Sequence, residues 1–136
     1  MRRKIGLMGI CISASMLAQA PAFGVPLGTY VQAASNPDKQ SRMLNDAYDT
    51  AVARTLAGLR VDHFKDGKQK TPERIENDRK LADIVENLAG HMTSDQSGAL
   101  IIMIDQYAQA QPNTEVEDVI ISFLLTEAKK KVGQGR

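Results

Sequence analysis

The stretch "TSDQSGALIIMIDQYAQAQPNTEVEDVIISFLLTEAKKK", Thr93 to Lys131, decides the fold of this 136-residue chain. It carries two apolar runs separated by a proline. Ile101–Ile104 and Val119–Ile121 are short, continuous and rich in β-branched residues, a pattern that a buried strand would share. Their flanks decide against strands. Thr93–Gln96 and Thr114–Glu117 both have the form Thr-x-x-Gln/Glu. In that motif the threonine and the third residue on cap a helix start reciprocally. The spacing therefore predicts helices over about 94–110 and 115–131, with Pro112–Asn113 breaking the chain between them. Lys129, Lys130 and Lys131 sit at the negative end of the second helix dipole. The first helix is apolar almost all round over Ala99–Ile104, which predicts a central helix covered by the others. The second has spare apolar side chains in Ile121 and Leu125, an edge for a partner or a second copy of the chain.

Upstream, Asn36–Pro37 supplies a cap and a proline at the first helical position. Leu44, Ala47, Tyr48, Ala51, Val52, Thr55 and Leu59 then recur on one helical face, so a helix runs from 37 to about 58–60. Thr71–Pro72–Glu73 opens another helix, with Glu76 and Lys80 spaced for mutual support. Its second half carries Leu81, Ile84, Val85, Leu88 and Met92 on one stripe, and Gly90 is its stop. Between these two helices lies "VDHFKDGKQK", residues 61–70, an aperiodic charged loop with a turn at Asp66–Gly67. The fold class is all-α: a small four- to five-helix domain over residues 37–131. An N-terminal arm or short helix over 23–36 precedes it, and a tail over 132–136 follows.

The first 22 residues read as an export signal outside the fold. "MRRK" is a basic start, "IGLMGICISASMLA" an apolar run too short for a comfortable membrane span, and "APA" a small-x-small cleavage site. Cleavage after Ala22 implies a periplasmic protein with no stable membrane insertion. Arg2, Arg3, Lys4 and Cys11, the only cysteine, depart with the leader. Fourteen basic and sixteen acidic residues remain, a charge of −2. No basic surface survives to release counterions from nucleic acid. About 110 residues can build a core without a disulfide.

Chemistry is thin. A metal site needs several ligands at set spacings, and only His63 and His91 remain, 28 positions apart. His91, at the end of the 72–90 helix, is explained by the dipole. Glu115, Glu117 and Asp118 cluster, but capping and the dipole account for all three. Ser94, Ser97 and Ser122 lack a nucleophile elbow, and no glycine-rich phosphate loop is present. The expectation is a protein that is no enzyme, with no metal and no cofactor. Within 61–70, Phe64 is an aromatic among Asp62, His63, Lys65 and Asp66. An aromatic anchor with a polar rim is what a protein-binding surface uses. The competing reading is an ordinary loop with Phe64 folded back onto the core.

"GTYVQAASNPDKQSRMLNDAYDTAVARTLAGL" (28–59), with Tyr48, Ala51 and Gly58, resembles the start of the periplasmic immunity proteins that neutralise type VI secretion peptidoglycan amidases, the Rap/Tai group. "MTSDQSGALIIMIDQYAQAQPNTEVEDVIISFLLTEA" (92–128) is similar to that group's ending through Gln96, Tyr107 and Pro112. The resemblance spans about two thirds of the chain after the leader. It implies the small helical fold that the group shares with acid-stress periplasmic chaperones. It also implies an inhibitor that occludes a peptidoglycan amidase effector. The chain departs from the group's paired cysteines: Ala34 and Met43 stand where a first pair would be. The expected partner-binding residues are Asp62, His63, Phe64, Lys65 and Asp66 of the loop, with Ile121 and Leu125. Two further readings stay open: an acid-stress holdase chaperone, and a non-catalytic component of an envelope or secretion system.

Overall fold

The computed structural model describes residues 24–134. The elements are α1 (Leu27–Gln32), a 3-10 turn (Ala33–Ser35), α2 (Pro37–Arg60), α3 (Pro72–Gly90), α4 (Ser94–Ala110) and α5 (Val116–Gln134). The fold is all-α, as expected. The proposed leader, residues 1–22, lies outside the described residues.

Three helix starts are built as their motifs predict. Asn36 Oδ1 accepts from Lys39 N at 3.2 Å and Thr71 Oγ1 from Arg74 N at 3.2 Å, each ahead of a proline. Thr93 and Gln96 form the full reciprocal box: Thr93 Oγ1 accepts from Gln96 N at 3.1 Å, and Gln96 Oε1 accepts from Thr93 N at 2.9 Å. At the end of α3, His91 Nδ1 lies 3.1 Å from Asn87 O, a place where the helix dipole favours it. The expected Glu76–Lys80 pair gives way to a closer one, because Arg79 Nη2 reaches Glu76 Oε2 at 2.5 Å. That hydrogen bond holds the exposed Glu76 carboxyl below its ordinary value.

The fourth motif does something else. Thr114 makes no cap; its hydroxyl lies 3.1 Å from Gln111 Oε1, and α5 starts at Val116. Glu117, only 4 % exposed, instead accepts from the backbone N of Val25 at 2.9 Å, and Glu115 accepts from Gly24 N at 3.2 Å. Backbone bonds extend the pairing. Val116 N donates to Val25 O at 2.8 Å, Leu27 N to Thr114 O at 2.8 Å and Gly28 N to Pro112 O at 2.9 Å. The arm is thus fastened antiparallel along the corner before α5, with Pro26 bridged to Glu115. Residues assigned to a cap and a dipole hold the arm in place from Gly24 onward.

The central helix is α5, and this corrects the expectation for α4. α5 packs against α2, α3 and α4, whereas α4 packs chiefly on α5 and α1. Val116, Val119, Ile120, Phe123, Leu124 and Ala128 are all buried. Their i, i+3, i+4, i+7 spacing makes one continuous stripe. Against it stand Ala47 and Ala51 of α2, whose small side chains admit α5 closely, and Val85 and Leu88 of α3. Fully burying each of the larger residues contributes about 1.5–3 kcal/mol. α4 fully buries only Leu100 and Ile104, and Ile102 on its outer face is 59 % exposed. At its other end α5 continues through Gln134, past the Lys131 expected to close it. Val132 is half-buried there beside Leu81.

Candidate functional site

Where α2 runs past Thr55 it stops filling the space beside α5. Ala57 and Gly58 present little side chain, and a groove of about 760 Å³ opens between the two helices. Leu59, Ile121 and Leu125 supply its apolar surface. Arg54, Lys65 and Asp118 supply its charge. Arg54 Nη1 lies 3.4 Å from Glu115 Oε1, which joins this groove to the corner holding the N-terminal arm.

A smaller pocket of about 290 Å³ lies across Gly58. Its walls include Val61, His63, Phe64, Lys70 and Arg74, and it shares Gly58, Leu59 and Lys65 with the groove. The loop that builds it is ordered rather than open. Phe64 N donates to Lys68 O at 2.8 Å, Lys70 N to Asp62 O at 2.9 Å and Gly67 N to Phe64 O at 2.9 Å. His63 and Gln69 form an antiparallel bridge. Gly67 turns the chain with φ +86°, a left-handed conformation that glycine adopts without strain.

Beneath the loop lies a buried charge cluster. Lys70 and Asp78 are 5 % and 3 % exposed, and Lys70 Nζ lies 2.7 Å from Asp78 Oδ2. Lys70 also donates to Gly58 O at 3.1 Å, while Arg74 Nε donates to Asp78 Oδ1 at 3.0 Å. The Phe64 ring lies over both cations, 5.9 Å from Lys70 Nζ and 5.0 Å from Arg74 Cζ. Phe64 therefore makes cation–π contacts while 36 % of it stays exposed. Neither reading of Phe64 taken alone describes it.

The structure brings five of the seven expected binding residues onto one surface. Ile121 and Leu125 line the groove, His63 and Phe64 line the pocket, and Lys65 lines both. Asp62 and Asp66 line neither, and their side chains serve the loop itself. Asp66 Oδ1 accepts from Lys68 N at 3.0 Å, and Asp62 Oδ1 lies 3.2 Å from His63 Nδ1. Hydrogen bonds with His63 and Gln69 hold the exposed Asp62 carboxyl below its ordinary value. Arg54, Lys70, Arg74 and Asp78 escaped the sequence reading, and Gly58 entered it only as a point of resemblance. A signal for Asp78 was available: the buried stripe Ala82, Val85, Leu88 extended back one turn lands on it.

Among the described residues no cluster of three or more His, Cys, Asp or Glu side chains could hold a metal ion. No described helix is long and apolar enough to cross a membrane. Compared with known proteins, the chain matches no family model, no curated protein and no solved structure.

Proposed function

We propose that this chain is a non-catalytic, protein-binding inhibitor of the immunity type, exported to the periplasm, where it occludes a peptidoglycan amidase. One observation carries the binding reading. The 61–70 loop and the Ile121/Leu125 edge of α5, far apart in sequence, form one surface around Gly58 and Lys65. Apolar anchors ringed by charge suit a protein partner. The class of partner comes from the resemblance of residues 28–59 and 92–128 to amidase immunity proteins. The test is co-expression in the periplasm with an amidase encoded by an adjacent gene. Loss of toxicity and of amidase activity is expected. Unchanged toxicity and activity would sink the proposal.

The fastening of the N-terminal arm favours a second reading, an acid-stress holdase. Glu115 and Glu117 accept from Gly24 N and Val25 N, so the arm is held in part by charge-assisted hydrogen bonds. Strong acid leaves the whole chain with a positive net charge that loosens compact states, and release of the arm would bare the buried Leu27 and Tyr30. Aggregation suppression at about pH 2–3 that exceeds suppression at pH 7 is the expected signature. Equal suppression at both would rule it out.

A further inference from the structure

We infer that Glu115 and Glu117 are the receptor for this chain's own new N-terminus: the Phe23 ammonium that leader removal creates seats against them and secures the mature fold. This rests on the export reading above, with cleavage after Ala22, and is independent of the amidase partner.

The decisive feature is a buried carboxylate with one oxygen unpartnered. Glu117 is 4 % exposed. Its Oε1 accepts from Val25 N at 2.9 Å, while its Oε2 has no hydrogen bond or ion pair with a described residue. A buried anion in that condition is costly until a cation or donor completes it. The positive end of the α5 dipole favours an acid at Glu117 but gives Oε2 no partner. Glu115 beside it has Arg54 of α2 at 3.4 Å. Arg54 thus balances Glu115, and no described residue forms an ion pair with Glu117.

The arm delivers its start into that corner. Gly24 N donates to Glu115 Oε2 at 3.2 Å, and a Cβ built on Gly24 would collide with Glu115 Oε1 and Glu117 Oε1 alike. Both carboxylates therefore converge on the arm's first described residue. Its register there is fixed, because Val116 N donates to Val25 O and Leu27 N to Thr114 O, both at 2.8 Å. Bond lengths put the Phe23 nitrogen no more than about 4 Å from Gly24 N, within reach of either carboxylate.

Before cleavage that nitrogen is a neutral amide. Hydrolysis by a signal peptidase breaks the Ala22–Phe23 C–N bond with one water. The hydroxyl goes to the Ala22 carbonyl carbon and the hydrogen to the Phe23 nitrogen, and the new acid's proton follows it. The products are an Ala22 carboxylate, which departs with the leader, and a Phe23 ammonium. That ammonium carries three donors and the positive charge that Glu117 lacks. The precursor cannot make this pair, so it unfolds more readily than the mature chain.

The test uses the processed protein purified from the periplasm, whose mass should match a chain that starts at Phe23. Acetylating the α-amine at about pH 6.5, where lysine side chains stay protonated, removes its charge. The unfolding constant in urea should then rise about tenfold. In Glu117→Gln the same acetylation should have little effect. A titration of the α-ammonium in the unaltered protein, followed by nitrogen NMR, needs no variant. Glu115 and Glu117 face that group from the corner and α5, with Asp118 one residue further on, and Arg54 faces it from α2. The carboxylates outnumber the guanidinium, so the midpoint should lie above the value of about 8 for a free α-amine. A midpoint at or below that value, or acetylation without effect on stability, would overturn the inference and leave export standing. So would an equal effect in the parent and a folded Glu117→Gln protein. A chain that keeps its leader or starts elsewhere would overturn the cleavage reading with it. Absent amidase inhibition with the expected midpoint and acetylation effect would remove the immunity role alone.

Discussion

At Lys70 and Asp78 two charges leave water, and an ionised pair survives there only when each member is fully partnered. Asp78 has Lys70 at 2.7 Å and Arg74 at 3.0 Å; Lys70 has Asp78 and the Gly58 carbonyl. Removing Asp78 strands a buried ammonium, so Asp78→Ala is expected to cost about 3–5 kcal/mol in urea unfolding. Lys70→Met should cost less, because Arg74 still neutralises Asp78. The double variant should cost less than the sum of the two, as coupled sites do. Tyr30 and Tyr48 give a second expectation. Burial first, and then the negative charge of Asp105 or Asp49, raises each phenol above its ordinary 10.0. A folded value above the unfolded one means stability that is complete below pH 10 and lost as pH rises through the folded value. The melting temperature should therefore fall above about pH 10, and Tyr30→Phe with Tyr48→Phe should flatten that fall.

At the scale of the element, the two threonine motifs separate sequence pattern from structural role. Thr93 caps α4 reciprocally with Gln96, so Thr93→Ala should cost about 1 kcal/mol. The Thr114 hydroxyl hydrogen-bonds the exposed Gln111 side chain instead of an α5 amide, so Thr114→Ala should fall within about 0.5 kcal/mol of the parent. Chemical denaturation of the two variants decides between these roles; equal costs would restore Thr114 as a cap. The motifs look alike because a capping box is a local pattern. What diverts Glu117 is Val25, 92 residues away in sequence, and no local pattern reports such a partner. The boundaries of α2, α3 and α4 were legible for the complementary reason. Their caps, prolines and stops act within a few residues of the helix they define. The 61–70 loop was legible as a turn at Asp66–Gly67, but the burial of Lys70 depends on Gly58 of α2 and Asp78 of α3 closing over it.

Across the whole molecule, the question left by Thr93–Lys131 is which of its two helices the others surround. Apolar content pointed to α4, whose stretch 96–104 carries no charge. Apolar content states how much a helix could bury; it does not state how many neighbours arrive to bury it. α2 brings small residues, Ala47 and Ala51, and α3 brings Val85 and Leu88, and both close on the stripe of α5. Leu124 is fully buried there, whereas Ile102 faces outward from α4. Leu124→Ala removes three heavy atoms from a packed interior and leaves a cavity, at an expected cost of about 2–5 kcal/mol. Ile102→Ala removes side-chain atoms that are largely solvated, replaces a β-branched residue with the best helix former, and should change stability by no more than about 0.5 kcal/mol. Urea midpoints of the two variants, measured side by side, test the arrangement of the whole bundle. A large loss at Ile102 with a small one at Leu124 would place α4 at the centre.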